Sequence, residues 1–127
     1  MKNQQLRELI KEYYGYAKQQ LGFDSNARCV VRQDNQNSQD IFGKTAYYVP
    51  DTKTIVLYVT NRHPKDVLRS FSHELVHHHQ NDRGDLQGMA AEDGYAQNDQ
   101  HLRKMEMEAY LKGNMLFRDW EDGKKYH

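Results

Sequence analysis

The sequence predicts a small α+β domain in which three helices pack on a three-stranded mixed sheet. Three observations predict it. Stretches at both ends of the chain and one in its middle repeat apolar residues at helical spacing. Short runs rich in Val, Ile, Tyr and Thr lie between the first two of these stretches. Two of those runs are joined by Pro50-Asp51-Thr52-Lys53, which is turn chemistry. The chain has 127 residues, which suits a single domain over 1–127 with a polar tail at 121–127. Hydrophobic residues make up only 37% and charged residues 28%, so the core should be thin and the surface very polar. A bound metal would help to stabilise such a domain.

In chain order, residues 3–21 read as the first helix. Leu6, Leu9, Ile10, Tyr13, Tyr14, Ala17 and Leu21 form one stripe, and Gly22 stands where a C-terminal cap belongs. The stripe is expected to pack into the core against the sheet. Residues 27–33 read as a strand, with Cys29 and Val31 on one face. Cys29 is expected to be a small buried residue. Residues 34–40 are polar loop, without the glycine and final glutamate of a calcium loop.

Thr45–Val49 and Thr54–Thr60 read as an antiparallel hairpin. The later strand is apolar on both faces, which suits a central position. The earlier one is shorter and more polar, which suits an edge, where an extended peptide could add as a further strand. The middle helix is expected over roughly 64–81, with Pro64 and Asp66 in its first turn and Val67, Leu68, Phe71 and Leu75 facing the core. A polar loop should follow to about residue 100, with at most a short helix at 89–92. The last helix is expected over 101–120, its apolar or small face formed by Leu102, Met105, Ala109, Gly113, Leu116, Phe117 and Trp120.

The middle helix carries His73-Glu74-Leu75-Val76-His77, the pattern HExxH. Residues four apart stand above one another on a helix, so His73 and His77 can turn two imidazoles toward one metal ion. They lie opposite the Val67/Phe71/Leu75 stripe. Neutral imidazole suits zinc, which lowers the pKa of a bound water to about 7. Glu74 lies between the histidines, near enough to take a proton from such a water. The bland alternative is an amphipathic helix with surface histidines. His78 and His79 turn away from the pair and read as packing and surface residues.

Composition excludes several classes. The formal net charge is zero with His neutral, unlike the basic footprint of a nucleic-acid binder. Cys29 is the single cysteine, so neither an intrachain disulfide nor a cysteine zinc site can form. The first residues hold no apolar signal region and no run reaches the length of a membrane span, so a cytoplasmic monomer is expected.

With HExxH on one helix and Met105-Glu106-Met107-Glu108-Ala109 on the next, the chain resembles the small gluzincin-type zinc metallopeptidases. Within that class it looks like the compact ImmA/IrrE-type peptidases and similar short phage-encoded metallopeptidases, over about residues 44–120. The resemblance implies a minimal zincin-like domain with one Zn²⁺ per chain. His73, His77 and Glu106 would be the ligands, Glu74 the general base, and a peptide or protein the substrate. At about 100° per residue, Glu106 falls within the Leu102/Ala109/Gly113/Phe117 face. Glu108 falls outside it with Lys104, Met115 and Asp119, and is expected to have little part in binding. Gly113 on that face would permit close approach of the HExxH helix. Related families often have Asn or Asp four residues after the ligand glutamate, where this chain has Tyr110, whose hydroxyl could orient a ligand histidine or whose ring could face the core. Tyr95, His101 and Tyr110 are candidates for stabilising an oxyanion, and no spacing rule chooses among them. The expected activity is that of a zinc metalloendopeptidase. The alternative is a metal-stabilised binding or regulatory module of zincin-like fold with little or no hydrolysis.

Overall fold

A computed structural model describes residues 3–33, 45–86 and 95–125. The polar loop expected at 34–40, the short helix expected at 89–92 and the side chain of Tyr95 lie outside the described residues. The described chain is α+β, with the elements α1 (Asn3–Leu21), β1 (Arg28–Arg32), β2 (Ala46–Val49), β3 (Thr54–Tyr58), α2 (Pro64–Asp82) and α3 (Tyr95–Lys125). No described helix is long and apolar enough to cross a membrane.

The sheet is mixed, in the order β1-β3-β2. β3 runs parallel to β1, with Val30 opposite Val56, and antiparallel to β2, with Tyr48 opposite Ile55. Ile55, Val56 and Leu57 are all buried, which is why an apolar run without alternation takes the centre. Polar β2 is left at the edge. Its position relative to α2 is set at both ends by side chains. Arg62 donates to the carbonyls of Thr45 and Tyr58, at 3.1 and 2.9 Å, and to Ser70 Oγ at 2.9 Å. Asn81 donates to Tyr48 Oη and to the Pro50 carbonyl, both at 3.0 Å.

The helices begin and end for local reasons. Gly22 closes α1 at φ +82°, a conformation that costs glycine little, and its N–H bonds to the Lys18 carbonyl. At the start of α2 the His63 ring Nδ1 accepts from the Lys65 N–H at 3.0 Å, with Pro64 as the first helical residue. α3 begins six residues earlier and ends five residues later than the sequence predicts, with 31 residues in all. Both extensions are polar, so no apolar stripe marks them.

The core joins all the layers. Leu6, Ile10, Tyr13 and Ala17 of α1 meet Leu57 of β3, Phe71 and Leu75 of α2 and Phe117 of α3. The Tyr13 ring lies edge-on to Trp120 at 5.3 Å and to Phe117 at 6.0 Å. Its hydroxyl bonds to Ser72 Oγ, which in turn donates to the Gly113 carbonyl at 2.7 Å. Cys29 is half-buried rather than fully so, and burial pushes its thiol up to about 11.

At Gly113 α3 comes close against the backbone of α2. A β-carbon there would lie 3.1 Å from both the Cα and the N of His73. Those atoms are backbone and cannot rotate aside, so the helices would have to part. Gly113→Ala is expected to destabilise the fold by about 1–3 kcal/mol, as other overpacked cores do. Denaturant unfolding checks this, and unchanged stability would mean that the contact is looser than the geometry requires.

Candidate metal centre

His73, Glu74 and His77 lie on the side of α2 that turns toward β2 and α3. Their nearest ligand atoms are all within 4.8 Å of one another, so the group is compact enough to hold a metal ion. The two imidazole rings are 4.9 Å apart between centroids. α3 runs antiparallel to α2, as the contacts of Ser72 with Gly113, Gln80 with Met105 and Asp85 with His101 show. This direction brings Glu106 opposite both histidines. Its Oε2 is 3.2 Å from His73 Nε2 and its Oε1 is 3.0 Å from His77 Nε2. One carboxylate thus faces two imidazoles.

Glu106 reaches the histidines from the rim rather than from the apolar face, since its side chain is 60% exposed. The buried line of α3 runs through Ala109, Gly113, Leu116 and Phe117. Glu106 and Glu108 flank this line on opposite sides. Glu108 is therefore not on the outer side, as the sequence suggests, but half-buried against α2. It accepts from Gln80 Nε2 at 2.8 Å and from Arg83 Nη2 at 2.7 Å, and pairs with Lys112 at 3.0 Å. The bond from Arg83, with those from Gln80 and Lys112, holds its carboxyl down at about 2.

Glu74 is 7% exposed, and its Oε2 has no hydrogen-bond partner among the described residues. Burial first, then the neighbouring charge of Glu106, pushes its carboxyl up to about 8. Burial and the adjacent His77 lower the pKa of His73, against the opposing pull of Glu106. Two imidazoles and a carboxylate make an N/O donor set that suits zinc. A buried carboxylate oxygen without a donor is costly unless a cation or an acidic water stands near it. On both counts these residues fit a divalent metal.

The group opens into a cleft of about 640 Å³ between α2, α3 and the β2 edge. Thr45 to Tyr48 and Pro50 form one wall. Arg69, Ser70, Leu86, Leu102, Met105 and Asn114 line the rest with the His/Glu group. Of the candidate oxyanion residues whose side chains are described, Tyr110 and His101 do not line it. Tyr110 is 63% exposed and lines neither core nor cleft. His101 lies outside the cleft and instead donates from Nε2 to the Asp85 carbonyl at 2.6 Å, fastening α3 to the turn after α2.

His78 is a packing residue, as expected. It is fully buried edge-on to Phe23, with its Nδ1 2.7 Å from Tyr48 Oη and its Nε2 2.8 Å from the Ser25 carbonyl. His79 is half-buried, also in line with expectation.

Sequence reasoning missed Gln80. It is fully buried, with its Oε1 2.8 Å from His77 Nδ1 and its Nε2 2.9 Å from the Met105 carbonyl. Its spacing three residues after His77 is the signal that was there to be read. Arg62 and Asn81, which tie the ends of β2 to α2, carry no comparable motif.

No protein-family model, no curated protein and no solved structure matches this chain.

The raised Glu74 has a consequence for stability without metal. A carboxyl with a folded pKa above its unfolded value contributes fully below about 4.5, and that contribution is lost as pH rises toward about 8. Glu74→Gln should therefore stabilise the metal-free protein at pH 8 and leave it little changed at pH 4. Thermal unfolding in chelator at the two pH values measures this. An equal shift at both would mean that the ionised carboxylate carries no penalty.

Proposed function

We propose that this chain is a zinc-dependent metallopeptidase of minimal zincin-like fold. His73, His77 and Glu106 hold the ion, and Glu74 is the general base. The observation that carries the reading is the convergence of two imidazole Nε2 atoms and the Glu106 carboxylate beside a buried, unpartnered Glu74. The resemblance in HExxH and in the downstream glutamate supports it.

Bound zinc would supply Lewis acidity, acidifying water and polarising the scissile carbonyl. The chain's own residues supply the rest. Glu74 accepts a proton from the attacking water at its unpartnered carboxylate and passes it to the departing amine. Its raised affinity for protons suits it to hold that proton between the two transfers. β3 pairs with one side of β2 only, and the other side borders the cleft. An extended peptide lying there would pair antiparallel with β2, and its scissile bond would be carried past Glu74.

The test compares the purified chain with two variants. The parent is expected to bind one zinc per chain by elemental analysis and to cleave members of a mixed peptide library. Glu74→Gln should keep the zinc and lose turnover by about 100- to 10,000-fold. Glu106→Ala should bind zinc much more weakly in a chelator competition. Parent-level cleavage by Glu74→Gln would remove Glu74 as the base. Zinc binding without cleavage by the parent would favour the regulatory module instead, and absence of zinc binding would end both readings.

A further inference from the structure

We infer that Gln80 sets the tautomer and direction of His77, and that Glu108 and Arg83 hold Gln80 in place to do so. The inference rests on the reading of His77 as a metal ligand, and it adds residues that HExxH does not contain.

The argument is one of donors and acceptors. A carboxamide has two N–H donors on its nitrogen and only acceptors on its oxygen. Gln80 Nε2 lies 2.9 Å from the Met105 carbonyl and 2.8 Å from Glu108 Oε1. Both neighbours only accept. Turning the amide over would press its oxygen against two other oxygens in a fully buried position, so its orientation is determined. Gln80 Oε1 must then face His77 Nδ1, at 2.8 Å. A carbonyl oxygen cannot donate, so His77 Nδ1 carries the proton.

A neutral ring protonated at Nδ1 has its lone pair at Nε2. That is the atom 3.0 Å from Glu106 Oε1. A lone pair and a carboxylate oxygen repel at that distance unless a cation or a proton stands between them. Gln80 therefore keeps the His77 side of the site as a pure acceptor, which is what a metal ion requires. The Arg83 guanidinium, 2.7 Å from Glu108 Oε1, fixes the carboxylate that fixes the amide. The chain of contacts runs from the end of α2 across to α3 and back to His77.

Two readouts on the intact chain test this. One is the tautomer of His77, from ¹⁵N-resolved imidazole NMR of the zinc-free protein at a pH where the ring is neutral. The other is zinc affinity by chelator competition. The wild type should show the Nδ1–H form. Gln80→Leu should move His77 toward the Nε2–H form and weaken zinc binding about 10- to 100-fold, as loss of a group behind a metal-ligating histidine does. A merely structural Gln80 would change stability without moving the tautomer.

An Nε2–H tautomer in the wild type overturns the inference with no variant needed, so it remains falsifiable even if Gln80→Leu fails to fold. A folded Gln80→Leu that keeps both the Nδ1–H form and wild-type affinity overturns it too. If the wild type binds no zinc, the metallopeptidase reading fails, while the tautomer still decides the part played by Gln80.

Discussion

The site depends on how closely α3 can approach α2. That distance is set where Gly113 lies against the backbone of His73, with no room for a β-carbon. Ser72 Oγ donates to the Gly113 carbonyl at the same place, and Tyr13 of α1 bonds to Ser72 from below. Three helices are thus joined one residue before the first motif histidine. From Gly113, α3 runs back past His77, and Glu106 stands about two turns away along it. Small changes in helix separation at Gly113 are therefore carried directly to the gap between the carboxylate and the imidazoles. The aromatic packing of Tyr13, Phe117 and Trp120 keeps this crossing from sliding.

The second constraint is on polar groups. This core is thin, yet it buries Ser72, Glu74, His78 and Gln80 on a single helix. Ser72, His78 and Gln80 are satisfied by partners on other elements, so each also serves as a tie between layers. His78 holds the β2 edge through Tyr48 and the turn after α1 through Ser25. Gln80 holds α3. Only Glu74 keeps a buried oxygen without a donor among the described residues. Two buried polar atoms of α2 lack a partner among the described residues, His79 Nδ1 and Glu74 Oε2, and only the second lies between the two histidines of the motif.

Much of this was legible in the sequence because two simple periods govern it. The stripe from Leu6 to Ala17, the unbroken apolar run at Ile55 to Leu57 and the HExxH spacing are each written within one element. They survive tertiary packing unchanged. The close approach at Gly113 was legible too, since a glycine on the apolar face of a helix has few other uses. What escaped the sequence depends on where elements cross. A helical wheel gives angles around α3 but not the line along which α2 covers it. Glu108 was therefore read as outward when it is held by Gln80 and Arg83, and Glu106 as buried when it stands at the rim. Arg62 and Asn81 tie elements together through side chains that no spacing rule joins, and the contacts of Gln80 with α3 are of the same kind, although its step from His77 was readable. The ends of α3 were hidden for the opposite reason: they are polar in sequence, and an apolar period cannot mark them.

These two kinds of information meet at His77. The motif gives it a place on α2 and a partner four residues away. It does not say which ring nitrogen carries the proton, and without that the same histidine could be a donor to Glu106 or a ligand beside it. The choice is made by Gln80, whose amide is oriented by a backbone carbonyl and a carboxylate from α3. The tautomer of a motif residue is thus determined by the packing of another helix. A sequence that kept HExxH but lost the α2–α3 crossing would retain the residue types without the arrangement on which the proposed metal site rests. The motif supplies the side chains, and the crossing at Gly113 with the clamp on Gln80 supplies their placement.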